Sequence, residues 1–241
     1  VNLGIFLEQI PDGDGTWGQS LASGLEWTLI VAALAWILAF LLGSVIGVAR
    51  TTDRRWLAGL GHAYVELFRN IPLIVQFFIW FFVVPGVIPP VKRWVVSVDP
   101  LTYQLLTAVV CLGLFTAARL AEQVRAGIQS LSRGQRNAGY ALGLSQVQTY
   151  RYVLLPMAYR IIIPPLTSEL MNLIKNTAVA YSIGLTELFF RTREMGEMTF
   201  RYFEAFGAAT VIYATIAFAS NRAMALLERK AAVPGYIGSG K

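Results

Sequence analysis

The chain has 241 residues, of which 56% are hydrophobic and only 14% charged, with a formal net charge of +6. A soluble domain carries roughly 25% charged residues, so with a mean hydropathy of +0.56 the composition points to lipid as the solvent and excludes an ordinary soluble enzyme. The single Cys111 lies in an apolar run, where it supports no intrachain disulfide and reads as inert packing. The positive charge fits basic cytoplasmic loops, and no nucleic-acid partner is expected.

Residues 1–18 contain Pro11, several glycines and no basic residue, so no signal pattern is read there and insertion is expected through the spans themselves. A spanning helix needs about 20 mostly apolar residues. Residues 27–49 and 71–91 are free of Asp, Glu, Lys and Arg except where Lys92 follows the second run, and 101–118 and 205–221 are equally uncharged. A weaker candidate, 156–184, holds Glu169, Lys175 and the pair Pro164-Pro165. Left out of the membrane, it would strand apolar runs in a long loop. The reading is therefore an all-α integral membrane protein. It forms a single domain over 1–241 with five transmembrane helices at about 22–49, 60–84, 101–127, 157–184 and 203–228 and a cytoplasmic loop over 128–156.

Orientation follows the Lys/Arg bias. Arg50, Arg54 and Arg55 follow the first span, Arg125, Arg133, Arg136, Arg151 and Arg160 surround the loop after the third, and Arg222, Arg229, Lys230 and Lys241 follow the fifth. These are placed inside, with the N-terminus outside and the C-terminus in the cytoplasm. Pro85 to Pro100 carries Pro-Gly and Pro-Pro turn chemistry, with Trp94 as an interfacial anchor. Residues 186–204 read as an external helical loop. No internal repeat is visible.

Three spans carry polar stripes at helical spacing. These are Glu66, Arg69, Asn70 and Gln76; Arg119, Glu122 and Gln123; and Glu169, Asn172, Lys175 and Asn176. Ionisable residues inside a span face protein or water and mark pathways. On the residues alone two readings stand. Glu66 with Arg69, and Glu122 with Arg125, can be intrahelical pairs snorkelling to the interface, and Lys175 can pair with Glu169 or Glu122. Alternatively, Arg119 and Lys175 line a cationic cavity for an acidic solute. Pro72 and Pro164-Pro165 mark either a broken span or a static kink.

The polar interruption RNAGYALGLSQVQTYRYVLLP, residues 136–156, places Ala138, Ala141, Leu142 and Ser145 on one face. Such a helix either docks into another protein or lies on the lipid surface. Its order N-A-G-x3-G-x9-V-x-L-P resembles the E-A-A-x3-G-x9-I-x-L-P loop of ABC-importer permeases. Asn137 stands where that pattern has Glu, and Gly139 where it has the second Ala. ELFRNIPLIVQ (66–76), AEQVRAGIQSLSRGQ (121–135) and LIKNTAVAYSIGLTEL (173–188) look like the polar amino acid permeases of the histidine, glutamine and glutamate group, closest to glutamate/aspartate permeases.

The resemblance implies a type I importer permease of the bacterial inner membrane that transports amino acids by alternating access. Its implied partners are an ABC ATPase dimer, a second permease copy or sister permease, and an extracytoplasmic binding protein. The polar stripes supply candidate substrate-binding residues Arg119, Glu122, Glu169, Asn172, Lys175 and Asn176 and a pathway lined by Glu66, Arg69, Asn70 and Gln76, while the resemblance implies ATPase coupling through Asn137, Ala138, Gly139, Ala141, Leu142, Gly143 and Leu144. Arg119 is then expected to hold a substrate carboxylate. The rival is a stand-alone secondary transporter or channel for charged small solutes.

No enzyme chemistry, cofactor or metal is expected. His62 is the only histidine. The terminal GYIGSGK, 235–241, fits most of a phosphate-loop pattern but has no strand before it or helix after it. Asp12-Gly13-Asp14-Gly15 lacks the remaining ligands of a calcium loop.

Overall fold

The computed structural model describes residues 3–11, 13 and 15–231. The terminal GYIGSGK and the aspartates at 12 and 14 lie outside the described residues. Among those described the regular structure is helical, with one isolated antiparallel bridge, Gln9 to Thr16.

Helix α1 spans Trp17–Ala49, and α2 spans Arg55–Asn70. The expected span at 60–84 is not one unbroken helix. Its regular hydrogen bonding stops at Ile71–Pro72, because Pro72 lacks an amide hydrogen and disfavours helical geometry before it. The chain restarts as α3, Leu73–Phe78, passes through a π-helical turn at Ile79–Val83, and continues as α4, Val84–Val87. The turn expected around Pro89-Pro90 is instead the start of α5, Pro89–Ser97. Proline is favoured at a first helical position, where its missing donor is not needed.

Helix α6, Pro100–Gln129, opens with Asp99 accepting the Thr102 N–H at 2.8 Å. That bond holds the Asp99 carboxyl below its usual range. Two short helices follow, α7 over Arg133–Ala141 and α8 over Gln146–Thr149, and then a π-helical turn at Tyr150–Leu154. Helix α9, Leu155–Asn176, runs through Pro164-Pro165 without interruption and yields to a 3-10 helix over Thr177–Ile183. Helices α10, Leu188–Thr199, and α11, Tyr202–Ala231, are the last elements among the described residues. Among the described residues three helices (α1, α6 and α11) are long and apolar enough to cross a membrane, or four spans if the pieces on either side of Pro72 count as one.

The chain divides into two compact units. The first comprises Val1–Leu38, Ile71–Gly113 and Asn172–Phe218, and the second Ala39–Asn70, Leu114–Met171 and Ala219–Lys241. The first unit is centred on Ile5, Trp17, Leu21, Leu188, Met195 and Ala205. Beside this core, buried Glu187 caps α10 by accepting the N–H groups of Phe189 and Phe190 at 2.9 and 2.8 Å. Burial nevertheless pushes its carboxyl up to about 7, because desolvation penalises the charged form more than two amide donors favour it.

In the second unit Val65 of α2 packs on Ala118 and Ala121 of α6. The close approach of α1 to α6 is made by Gly43 and Gly47. A Cβ on Gly43 would stand 2.7 Å from Leu120 Cβ, and one on Gly47 2.7 Å from Val124 Cβ. Glycines four residues apart let two membrane helices meet at backbone distance. That contact carries Arg50, just past the end of α1, to the face of α6 that presents Glu122.

Candidate functional site

A cavity of about 350 Å³ lies in the second unit, lined by Arg69 of α2, Arg119, Glu122 and Gln123 of α6, and Glu169 of α9. Three helices thus bring members of the three polar stripes together. Arg119 and Glu122 are three residues apart on α6 and so share a face.

The charges in this cavity are not equally free. Glu122 binds Arg50 at 2.7 Å and Arg125 at 3.0 Å, with Arg69 at 3.7 Å. The Arg50 side chain is only 6% exposed, and its second nitrogen lies 3.4 Å from His62 Nδ1. The expected Glu122–Arg125 pair is therefore present, but Arg50 makes the shorter contact. Arg50 reads as one of several loop arginines in the sequence; the only hint of its role is Gly43 and Gly47 upstream.

Arg119 is partly buried, with its guanidinium 4.8 Å from the centre of the Phe115 ring. Among the described residues it forms no ion pair. Glu169 Oε2 is buried without a hydrogen-bond partner among the described residues.

The remaining stripe residues fall elsewhere. Glu66 does not pair with Arg69. It accepts from Asn70 Nδ2 at 3.0 Å, and both residues are exposed. Gln76 is buried and donates its amide to the Ile71 carbonyl at 2.9 Å, across the gap Pro72 leaves in the backbone ladder. Asn172, Lys175 and Asn176 belong to the first unit and do not line this cavity. Lys175 is exposed and holds no ion pair among the described residues. No group of three or more His, Cys, Asp or Glu that could hold a metal ion occurs among the described residues.

The 136–156 stretch forms a second feature of the same unit. Helix α7 closes with Gly143 N–H on the Tyr140 carbonyl at 2.9 Å and Leu144 N–H on the Gly139 carbonyl at 3.1 Å. Gly143 sits at φ +78, so the helix ends in a Schellman motif whose left-handed residue suits glycine. Ser145 then opens α8 with a capping box, its Oγ accepting from Gln148 N and Gln148 Oε1 accepting from Ser145 N. Asn137, Ala138, Ala141 and Leu142 are exposed, Leu142 by 80%.

Gly139 faces the other way and is buried. A Cβ there would stand 2.8 Å from Thr149 Cγ2, which accounts for glycine where the resembled pattern has alanine. Thr149 Oγ1 is buried without a partner among the described residues. Gly139→Ala is accordingly expected to destabilise by about 1–3 kcal/mol through overpacking. Adding Thr149→Ala should return most of that, since it removes the clashing methyl and sacrifices no hydrogen bond. Thermal midpoints of the single and double variants in detergent check this; a double variant no more stable than Gly139→Ala refutes the steric account.

The segment is tied to the turn after α1. Tyr150 Oη donates to the Thr51 carbonyl at 2.7 Å, and Gln146 Nε2 lies 3.3 Å from Asp53 Oδ2.

Long apolar helices, a charged cavity between α2, α6 and α9, and a polar helix pair with exposed Ala138 and Ala141 fit a membrane transport subunit. Residues 39–233 match the model of the binding-protein-dependent transport system inner membrane components, and the chain belongs to that family. It is 49% identical over 239 residues to the glutamate/aspartate import permease protein GltJ of Escherichia coli, in strains K12 and O6:H1 alike, with 98% of this chain and 97% of the relative covered. Identity to the glutamate/aspartate import permease protein GltK of strain O6:H1 is 31%, over 88% and 93% of the two chains.

Among solved structures, an amino acid ABC transporter crystallised with histidines matches with a TM-score of 0.73 at 26% identity, covering 89% of this chain and 95% of that one. The MetNI methionine ABC transporter matches in fold with a TM-score of 0.74 at 21% identity, covering 90% and 98%. The protein is therefore an ABC-importer permease of the inner membrane, not an enzyme in its own right. Dependence on a binding protein sets aside the stand-alone transporter or channel.

Proposed function

We propose that the protein imports acidic amino acids, glutamate and aspartate, and that Arg69, Arg119 and Glu169 meet the solute. The observation that carries this is the charge left over in the cavity. Glu122 is compensated by Arg50 and Arg125 at 2.7 and 3.0 Å. With Arg69 held only by a longer 3.7 Å contact to Glu122, Arg69, Arg119 and Glu169 are the other charged groups on the lining, two guanidiniums and one carboxylate. An acidic amino acid has two carboxylates and one ammonium, the complement of that set. A basic amino acid has the reverse and would leave the second guanidinium facing a cation. In this reading Glu122 orients the arginines, Asn172, Lys175 and Asn176 serve the solute further along α9, and Glu66, Arg69 and Asn70 border the pathway. Gln76 is assigned to bracing the break at Pro72.

Five spans at the expected positions, with the N-terminus outside and the C-terminus inside, are part of the same proposal. The basic residues beside α7 and α8 support a cytoplasmic position for the 128–156 loop. There its exposed face, Asn137, Ala138, Ala141, Leu142 and Gly143, with half-buried Leu144 and around buried Gly139, docks on an ABC ATPase dimer. The permease partner is a second copy or a sister permease. The sister is favoured by one E. coli strain having both GltJ and GltK, each named a glutamate/aspartate import permease.

The test is uptake and solute-stimulated ATP hydrolysis by the complete transporter with its binding protein, in proteoliposomes, across a panel of amino acids. Glutamate and aspartate should support transport at least about tenfold better than glutamine or arginine, since one unmatched charge in the cavity is worth well over 1.4 kcal/mol. Equal transport of arginine refutes the charge argument.

A further inference from the structure

A second cleft in the same unit, of about 510 Å³, opens where the turn after α1 meets α8 and the π-helical turn. Its walls are mostly apolar, with Val48, Leu57, Val147 and Leu155, and Arg54 and Arg151 stand among them. Both arginines are exposed, and among the described residues neither forms an ion pair. Arg151 lies 5.6 Å from the centre of the Tyr152 ring. The neighbouring carboxylate, Asp53, is engaged by Gln146 at 3.3 Å.

The depth of the cleft is set by the elements around it. Val48 is in the last turn of α1, a helix long and apolar enough to cross a membrane, and Leu155 is the first residue of α9. Trp56, at the start of α2, is 62% exposed. An exposed tryptophan beside arginines marks the headgroup level of a bilayer. An apolar cleft carrying two unpaired guanidiniums at that level has the shape and charge of a lipid site, with headgroup and acyl chain both provided for.

We propose that this cleft holds an anionic phospholipid, its phosphate on Arg54 and Arg151 and an acyl chain along Val48, Leu57, Val147 and Leu155. The lipid then packs beside Tyr150, whose hydroxyl joins the α7–α8 segment to Thr51. It braces the route by which motion of that segment reaches α1 and α2. The site is separate from the charged cavity and shares no lining residue with it.

The complete transporter, purified in detergent and stripped of lipid, is titrated with phosphatidylglycerol, with phosphatidylcholine and with inorganic phosphate. Bound lipid is counted by mass spectrometry and the thermal midpoint is recorded. Phosphatidylglycerol should bind and raise the midpoint, while phosphatidylcholine and phosphate should not. Arg54→Gln with Arg151→Gln should weaken phosphatidylglycerol binding by roughly tenfold or more, with the complex and its basal ATP hydrolysis retained.

Equal binding of the two lipids by the unaltered transporter overturns the proposal without reference to any variant. Stabilisation by phosphate alone overturns it in favour of a free-anion site. Protection of a Val147→Cys thiol from maleimide by the ATPase in lipid-free detergent overturns it in favour of a protein contact.

Discussion

Replacing Arg119 by alanine is expected to lower glutamate uptake by about a hundredfold to a thousandfold while leaving the assembled transporter and its basal ATP hydrolysis in place. A guanidinium that grips a carboxylate in a water-poor cavity makes charge-assisted, bidentate hydrogen bonds. Truncating one partner of such a pair costs on the order of 3–5 kcal/mol, because the other charge is left uncompensated, and each 1.4 kcal/mol is tenfold. The fold should survive, since Arg119 is partly buried, lies over the Phe115 ring and holds no ion pair among the described residues.

Arg119→Lys should recover part of the activity, as an ammonium restores the charge without the planar fork. Uptake of labelled glutamate into proteoliposomes containing the ATPase and supplied with binding protein reads the effect. Near-normal uptake by a folded Arg119→Ala transporter refutes its role with the solute, and equal losses in the alanine and lysine variants refute the charge-based account. Glu169→Gln provides the reciprocal check. It removes the carboxylate assigned to the substrate ammonium and should lower uptake without weakening the Glu122 cluster.

A second large effect is expected at Gly143, where coupling to the ATPase is proposed. Gly143 has φ +78, and among the described residues nothing lies within 4 Å of where its Cβ would stand. A side chain there meets no steric obstacle within the chain, only the left-handed backbone, which costs an ordinary residue roughly 1–2 kcal/mol. Gly143→Ala should therefore loosen the end of α7 modestly and reduce coupling by less than about tenfold. Gly143→Asp adds a charge to the exposed face and should lose ATPase subunits on co-purification, with solute-driven ATP hydrolysis falling by tenfold or more, about 1.4 kcal/mol or beyond. Leu142→Asp should behave like Gly143→Asp. Leu142 is 80% exposed, so its loss disturbs no packing within the chain. If Gly143→Asp and Leu142→Asp both retain the ATPase and solute-coupled hydrolysis, the docking surface is elsewhere.

Much of this protein follows from the sequence alone. A chain that is 56% hydrophobic and 14% charged has to bury its helices in lipid. The uncharged runs at 27–49, 101–118 and 205–221 lie within α1, α6 and α11, because an apolar stretch in a membrane satisfies its backbone only as a helix. The spacing from Ala138 to Pro156 was equally local, as caps and turns are set by neighbours a few residues away. The single helical face read over Ala138, Ala141, Leu142 and Ser145 is nevertheless broken, because Gly143 terminates α7 and Ser145 caps α8.

Other features depended on residues far apart. The break at Pro72 was legible only as one of two readings of a proline, and its bracing by Gln76 emerged with the backbone path. Pro89-Pro90 read as a turn and became a helix start, since proline suits both and only the following residues' geometry decides. Glu122 looked tied to Arg125 by helical spacing. Its shortest partner, Arg50, is 72 residues away and arrives because Gly43 and Gly47 let α1 lie against α6. Gly139 looked like a departure from a pattern until Thr149 was found where a methyl would go.

The sequence determined which residues must be helical, which must be apolar and which segment interrupts the apolar runs with polar residues, because these depend on local spacing and on transfer from water. Tertiary structure decided which charges pair and which are left on the cavity lining, because compensation depends on distance across helices, which no periodicity within one helix contains.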